Sequence, residues 1–216
     1  MADPIQLLST KVEIQTTLGT PKVITGITKA TEAVFSVTAH GFTAGKILIV
    51  DEVQGMSQIN RRPIRVKAAP TADSFTAENL DSTTWSTYVG GGTVTDVTGF
   101  LSYETLTTFN FPEPQPNPEP ITTIHDTEER EVFGLDSAPT ATMDSHAQPL
   151  NAAIIETRKA SLSKSDRVIK ATFQNGNVML INTKVAGGRG IDGAAGEVAK
   201  SQISLKFRAP EQWFAS

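Results

Sequence analysis

The chain contains no cysteine, and that one gap removes disulfides, thiolate nucleophiles and cysteine metal sites together. Aromatic residues are 6% of its 216 residues, and its two tryptophans, Trp85 and Trp213, lie too far apart in sequence to suggest a carbohydrate platform. Histidine is scarce: His40, His125 and His146 have neither H-x-x-x-H nor H-E-x-x-H spacing, so no zinc site is legible. No apolar run approaches the roughly 20 residues that span a bilayer. The start MADPIQLLSTK lacks the basic region and apolar core of a secretory signal, so the expectation is a soluble protein made in a cytoplasm, with no membrane partner. Basic charge is also short. Lys and Arg number 19 against 23 Asp and Glu, a net charge of -4, which is a poor basis for gripping nucleic acid.

Catalytic signatures are missing as well. Gly188-Arg189-Gly190-Ile191-Asp192-Gly193 is formally G-x-G-x-x-G, but a strand-like run follows about seven residues later where a dinucleotide site needs a full helix. The acidic cluster Asp126, Glu128, Glu129 and Glu131 lacks the glycine and spacing of a calcium loop. There is no G-x-S-x-G elbow and no P-loop. The sequence predicts no enzyme and no cofactor.

What remains is patterned as β structure. The stretch that organises the chain runs from Val168 to Phe207: VIKATF, a turn at Asn175-Gly176-Asn177, VMLINTKV, a glycine-rich loop, and SQISLKF. In the last run Ile203, Leu205 and Phe207 alternate with Gln202, Ser204, Lys206 and Arg208, giving one apolar and one wet face. Three antiparallel strands burying one side are expected. Residues 149–160 read as a short amphipathic helix with Pro149 in its first turn and Arg158 and Lys159 near its end. Ser9 to Thr17 alternate Val12 and Ile14 against Lys11, Glu13 and Gln15, a first strand. Phe100 to Phe111 reads as one long strand, with Phe109 and Phe111 on one side and Ser102, Glu104, Thr108 and Asn110 on the other. Pro112, Pro114, Pro116, Pro118 and Pro120 then alternate with polar residues, which predicts an extended polyproline spacer. Residues 121–144 read as strand, turn at 134–138, and strand.

Between these parts, short apolar runs from Val23 to Val97 are separated by turns at spacings expected of a small barrel or sandwich. Here His40-Gly41-Phe42, Gly45, Val53-Gln54-Gly55-Met56, Ile59-Asn60-Arg61, Ser74-Phe75 and Tyr88 to Val94 follow one another in an order that resembles a small β-barrel module of phage tail proteins. That module is named after the first catalytic-cysteine half-domain of ubiquitin-activating enzymes. The resemblance implies a fold and no activity. It divides the chain into an inserted, outward-facing domain, 20–97, and a host domain made of 1–19 and 98–216.

The host, through TTIHDTEEREVFGLDSAPTATMD, the helix at 149–160, IKATFQNG and SLKFRAPEQWF, resembles the major tail tube protein of long-tailed, non-contractile phages. That resemblance implies a mainly β fold, a tail-tube-type sandwich or barrel with one short helix plus the inserted barrel. It implies hexameric rings stacked into a tube, with the tape measure protein and tail initiator or terminator proteins as partners and double-stranded DNA passing without specific contacts. The place implied is the virion tail, after assembly in a bacterial cytoplasm. Lys11, Glu13, Gln15, Glu104, Lys170, Lys206 and Arg208 are then expected on the lumen side. Phe109, Phe111, Pro112, Pro114, Pro116, Pro118, Gly188, Arg189, Gly190 and Asp192 are expected at contacts between subunits or rings. Rival expectations are a terminator, baseplate or decoration protein, or a carbohydrate-binding module.

Overall fold

The computed structural model describes residues 7–215, with only the backbone of Leu135 and Asp136; residues 1–6 of the expected host domain lie outside the described residues. The fold is mainly β with a single α-helix among the described residues. β1 (Lys11–Gln15) opens it, and residues 22–96 contribute β2 (Lys22–Val23), β3 (Gly26–Ile27), β4 (Val34–Ser36), β5 (Ile47–Gln54), β6 (Pro63–Arg65), β7 (Ser74–Thr76) and β8 (Gly90–Asp96). Then come β9 (Phe100–Ser102), β10 (Leu106–Asn110), β11 (Pro116–Pro120), β12 (Glu131–Asp136), β13 (Thr140–His146), α1 (Ala152–Ser163), β14 (Asp166–Thr172), β15 (Val178–Gly187), β16 (Lys200–Phe207) and β17 (Gln212–Phe214).

The three-stranded unit expected from Val168 to Phe207 is present as neighbouring β14, β15 and β16. Its turn is closed by Phe173 N–H donating to Asn177 O at 2.9 Å, with Gly176 at φ +82, a left-handed conformation that glycine adopts without cost. The whole sheet runs β10-β13-β16-β15-β14-β1-β9, with β17 pairing the start of β15. β9 and β10 are therefore at opposite ends of the strand order although only Tyr103, Glu104 and Thr105 connect them. Three residues bridge at most about 14 Å. The sheet must curl until its two ends nearly meet, and the expected single strand 100–111 is instead broken at the seam. The curl encloses a core of Val12, Ile14, Met143, Ile169, Ile181, Ile203 and Leu205, against which α1 packs Ala153, Ile154 and Ala160.

α1 begins and ends three residues later than the sequence suggests. The Asn151 side chain caps it by accepting from Ala153 and Ile154 N–H, and Lys164 closes it in a left-handed conformation. Pro149 therefore precedes the cap, and Arg158 sits mid-helix.

Residues 22–96 form a four-stranded sheet, β2-β8-β5-β6, and a three-stranded sheet, β3-β4-β7, around a second core centred on Phe35, Leu48, Met56, Ile59 and Phe75. Of the barrel or sandwich that the turn spacing suggested, the two sheets form no closed barrel but lie about one core. β2 and β3 are two residues long, and each pairs with a single neighbour.

Candidate assembly surfaces

Cross-strand partners project on the same side of a sheet, so the outer face can be followed through the register. Thr108 pairs with Asp144, Asp144 with Gln202, Thr142 with Ser204, and Ser204 with Ala186. Lys206 pairs with Lys184, Lys184 with Asp166, Lys170 with Glu13, and Glu13 with Ser102. Lys11, Glu13, Gln15, Lys170 and Lys206 all belong to this side by parity. Arg208 joins it through a 3.2 Å contact to Asp166 Oδ2. Glu104 does not: it occupies the exposed turn at the seam.

The wet face expected on alternation alone is only half wet. Ile49 and Val97, from the segment between β1 and β9, bury Val168, Leu180 and Phe214 on the outer side of β14, β15 and β17. Polar links fix this joint: Asn182 Nδ2 donates to Arg61 O at 2.9 Å and Arg65 Nη2 to Ala215 O at 2.8 Å. Arg65 also pairs with Glu78, Nε to Oε2 at 2.6 Å, and its guanidinium carbon lies 4.6 Å from the Phe214 ring centre. Gln15 is also buried, its Oε1 accepting from Val168 N–H at 2.9 Å. Glu13 is also buried, held by Lys170 Nζ at 2.5 Å and Lys11 Nζ at 2.7 Å. Burial alone would raise the Glu13 pKa, but the hydrogen bonds and charges of the two lysines together hold it below the ordinary carboxylate value. Lys170 is further occupied over the Phe100 ring, 4.8 Å from its centre. Glu13 and Gln15 are thus corrected from solvent-lining to structural residues, because alternation cannot reveal partners such as Lys170 and the Val168 N–H that a strand distant in sequence supplies.

The half built by β10, β13 and β16 is clear. Thr108, Asn110, Thr140, Gln202 and Lys206 are exposed there, with Thr142, Asp144 and Ser204 half-buried among them. Asp144 ties three strands together: its Oδ2 accepts from Thr108 Oγ1 at 2.9 Å and its Oδ1 from Gln202 Nε2 at 3.2 Å. Alternation marked Thr108, Asn110, Gln202 and Ser204 as polar but gave no sign of Asp144, whose partners come from both neighbouring strands.

The proline run is not a free polyproline spacer. β11 pairs antiparallel with β12, Pro118 opposite Phe133 and Pro120 opposite Glu131, forming a two-stranded arm separate from the other sheets. Proline every second residue makes this possible. Ile121 N–H, on the parity of Asn117 and Glu119, donates to Arg130 O at 2.8 Å, so the prolines fall where a ladder needs no donor and their outer edge offers none. Gly134, expected in a turn, lies within β12 near the ladder's irregularity; a Cβ there would come 2.9 Å from Asn117 O. Residues 121–130 are the connecting loop and not a strand.

At the root of the arm lies an apolar groove of about 450 Å³, lined by Phe109, Phe111, Pro112, Pro114, Phe173 and Trp213 among others. Its rings pack in series: Phe109 on Phe111 at 5.4 Å, Phe111 on Phe207 at 4.6 Å, and Phe173 on Trp213 at 5.4 Å between centres. Phe109 and Phe111 are half-buried against their own core, so they form the floor of a groove and do not project from the surface. In the glycine-rich loop, Arg189, Gly190 and Asp192 are exposed, but Gly188 is buried against α1. Its carbonyl accepts from Arg158 Nε at 2.5 Å, and a Cβ would meet Thr157 Cγ2 at 3.1 Å, so Gly188 is an internal anchor and not a contact residue.

Residues 30–98 match the family model described as the ubiquitin-activating enzyme E1 FCCH domain. The stretch so matched is the one that lays Ile49 and Val97 on the outer face of the curled sheet. With no cysteine anywhere in the sequence, no thiol chemistry accompanies that likeness. No curated protein matches the chain.

Proposed function

We propose that the chain is a structural virion protein, the major tail tube subunit of a long-tailed, non-contractile phage, and not an enzyme. Six copies would form a ring, and rings would stack around a bore that passes double-stranded DNA. The observation that carries this reading is the division of the outer sheet face. One half is covered by residues of the 22–97 segment, and the other is an uncovered polar field, mostly Thr, Ser, Asn and Gln, carrying Asp144 and Lys206. A wall built mainly of uncharged polar side chains, Thr108, Thr140, Thr142, Gln202 and Ser204, suits a surface past which a polyanion must slide, since a dense lysine and arginine cluster would retain it.

On this reading Lys206, Gln202 and Thr142 face the bore, and residues 20–97 form a domain on the tube exterior. The β11–β12 arm, with Arg189, Gly190 and Asp192 of the glycine-rich loop, joins subunits or rings. Tape measure, initiator and terminator proteins are the further partners, and the tail of the virion is the location. The purified full chain, viewed by negative-stain electron microscopy beside light scattering, is expected to form hollow tubes with a regular axial repeat. Closed rings that never stack would instead support a terminator or baseplate protein.

A further inference from the structure

Prolines at alternate positions of an extended strand all project to one side. In the arm this aligns Pro116, Pro118 and Pro120 with Phe133, which pairs with Pro118, and all four are exposed. Phe133 is 77% exposed, on a two-stranded ribbon with no core of its own. Proline rings and Phe133 held on a paired ribbon make an apolar face of fixed shape, which loses little entropy on docking, and an aromatic-lined groove is a receptor of matching chemistry. The same chain carries such a groove, walled by Phe109, Phe111, Phe173 and Trp213 and left uncovered by its own arm. Trp213 is 43% exposed in it.

We infer that the proline face of the β11–β12 arm of one copy docks in the aromatic groove of a second copy. The inference rests on the self-assembly reading and names the two surfaces that meet. Because arm and groove are different patches joined through Pro112 and Pro114, the contact is head-to-tail, and each copy that offers an arm also leaves a groove for the next. Three of the five prolines thereby gain a role: Pro116, Pro118 and Pro120 give the arm an apolar face and remove the donors from the free edge of β11.

The absence of native cysteine allows a direct test in the full chain. Two single-cysteine variants, Pro118→Cys on the arm and Glu113→Cys on the groove rim, leave both cores untouched. Mixed and oxidised, they are expected to give the 113–118 linked pair at several-fold higher yield than either variant alone. Preferential 118–118 pairs would mean that arms meet each other, and no linked pair at any concentration would mean that the groove is not the receptor. Either result overturns the inference. Phe133→Glu provides the second arm: it is expected to abolish assembly, and tubes formed by it at the natural yield would overturn the inference while leaving the tube reading intact. Linked 113–118 pairs in a chain that never builds tubes would do the reverse.

Discussion

Tyr103 Oη lies 2.6 Å from Thr157 Oγ1, and this bond fastens the seam of the curled sheet to its helix. Thr157 already donates to Ala153 O at 2.8 Å, so the tyrosine is the donor. Burial pushes its phenol above the usual range, and the pair stays neutral at all ordinary pH. Removing the donor with Tyr103→Phe leaves threonine satisfied and is expected to cost about 1 kcal/mol. Thr157→Val strands a buried hydroxyl and is expected to cost about 1–3 kcal/mol. Urea denaturation of the two variants checks that order.

The Glu13 carboxylate gives the fold an acid dependence. Its folded pKa is depressed, so its contribution is present above the unfolded value and is lost as pH falls through the folded one. Glu13→Gln is expected to lower stability by about 1–2 kcal/mol at neutral pH, with the gap to the natural chain closing in acid. Thermal melts across pH 3 to 7 read it directly (about that range covers ordinary carboxylates).

Gly187 and Gly190 are neighbours with opposite tolerance. At Gly187, φ is +109 and a Cβ would meet Gln202 O at 2.6 Å, whereas at Gly190 nothing lies within 4 Å. Gly187→Ala is expected to destabilise by more than about 1 kcal/mol and Gly190→Ala to be near neutral. Melting temperatures of the purified variants separate them.

Arg65 joins two parts of the chain that are distant in sequence. Arg65→Met strands Glu78 and releases Ala215 O and the Phe214 ring, with an expected cost of roughly 1–3 kcal/mol. If this joint couples the cores, calorimetry should show one transition in the natural chain and a broadened or split one in the variant.

The alternation of SQISLKF and the glycine turn at 175–177 were enough to place β14 to β16, because both signals are local. The helix needed only its cap, Asn151, to be recognised. What could not be read was anything set by the curl. The seam at Tyr103 breaks a run whose apolar pattern continues across it, and Glu13 and Gln15 look wet until β14 brings Lys170 and the Val168 N–H to them. The prolines illustrate the same limit: composition indicated an extended chain, but only the partner strand β12 turns it into a one-sided ribbon.

If the proposed tube is right, β10, β13 and β16 face its bore, and electron cryomicroscopy of the assembled chain is the measurement to make. It is expected to show six-fold rings with a constant axial repeat, Thr142, Gln202 and Lys206 lining the channel, and residues 22–96 outside. A discrete ring without axial repeat, or a tube with residues 22–96 in its bore, would contradict it.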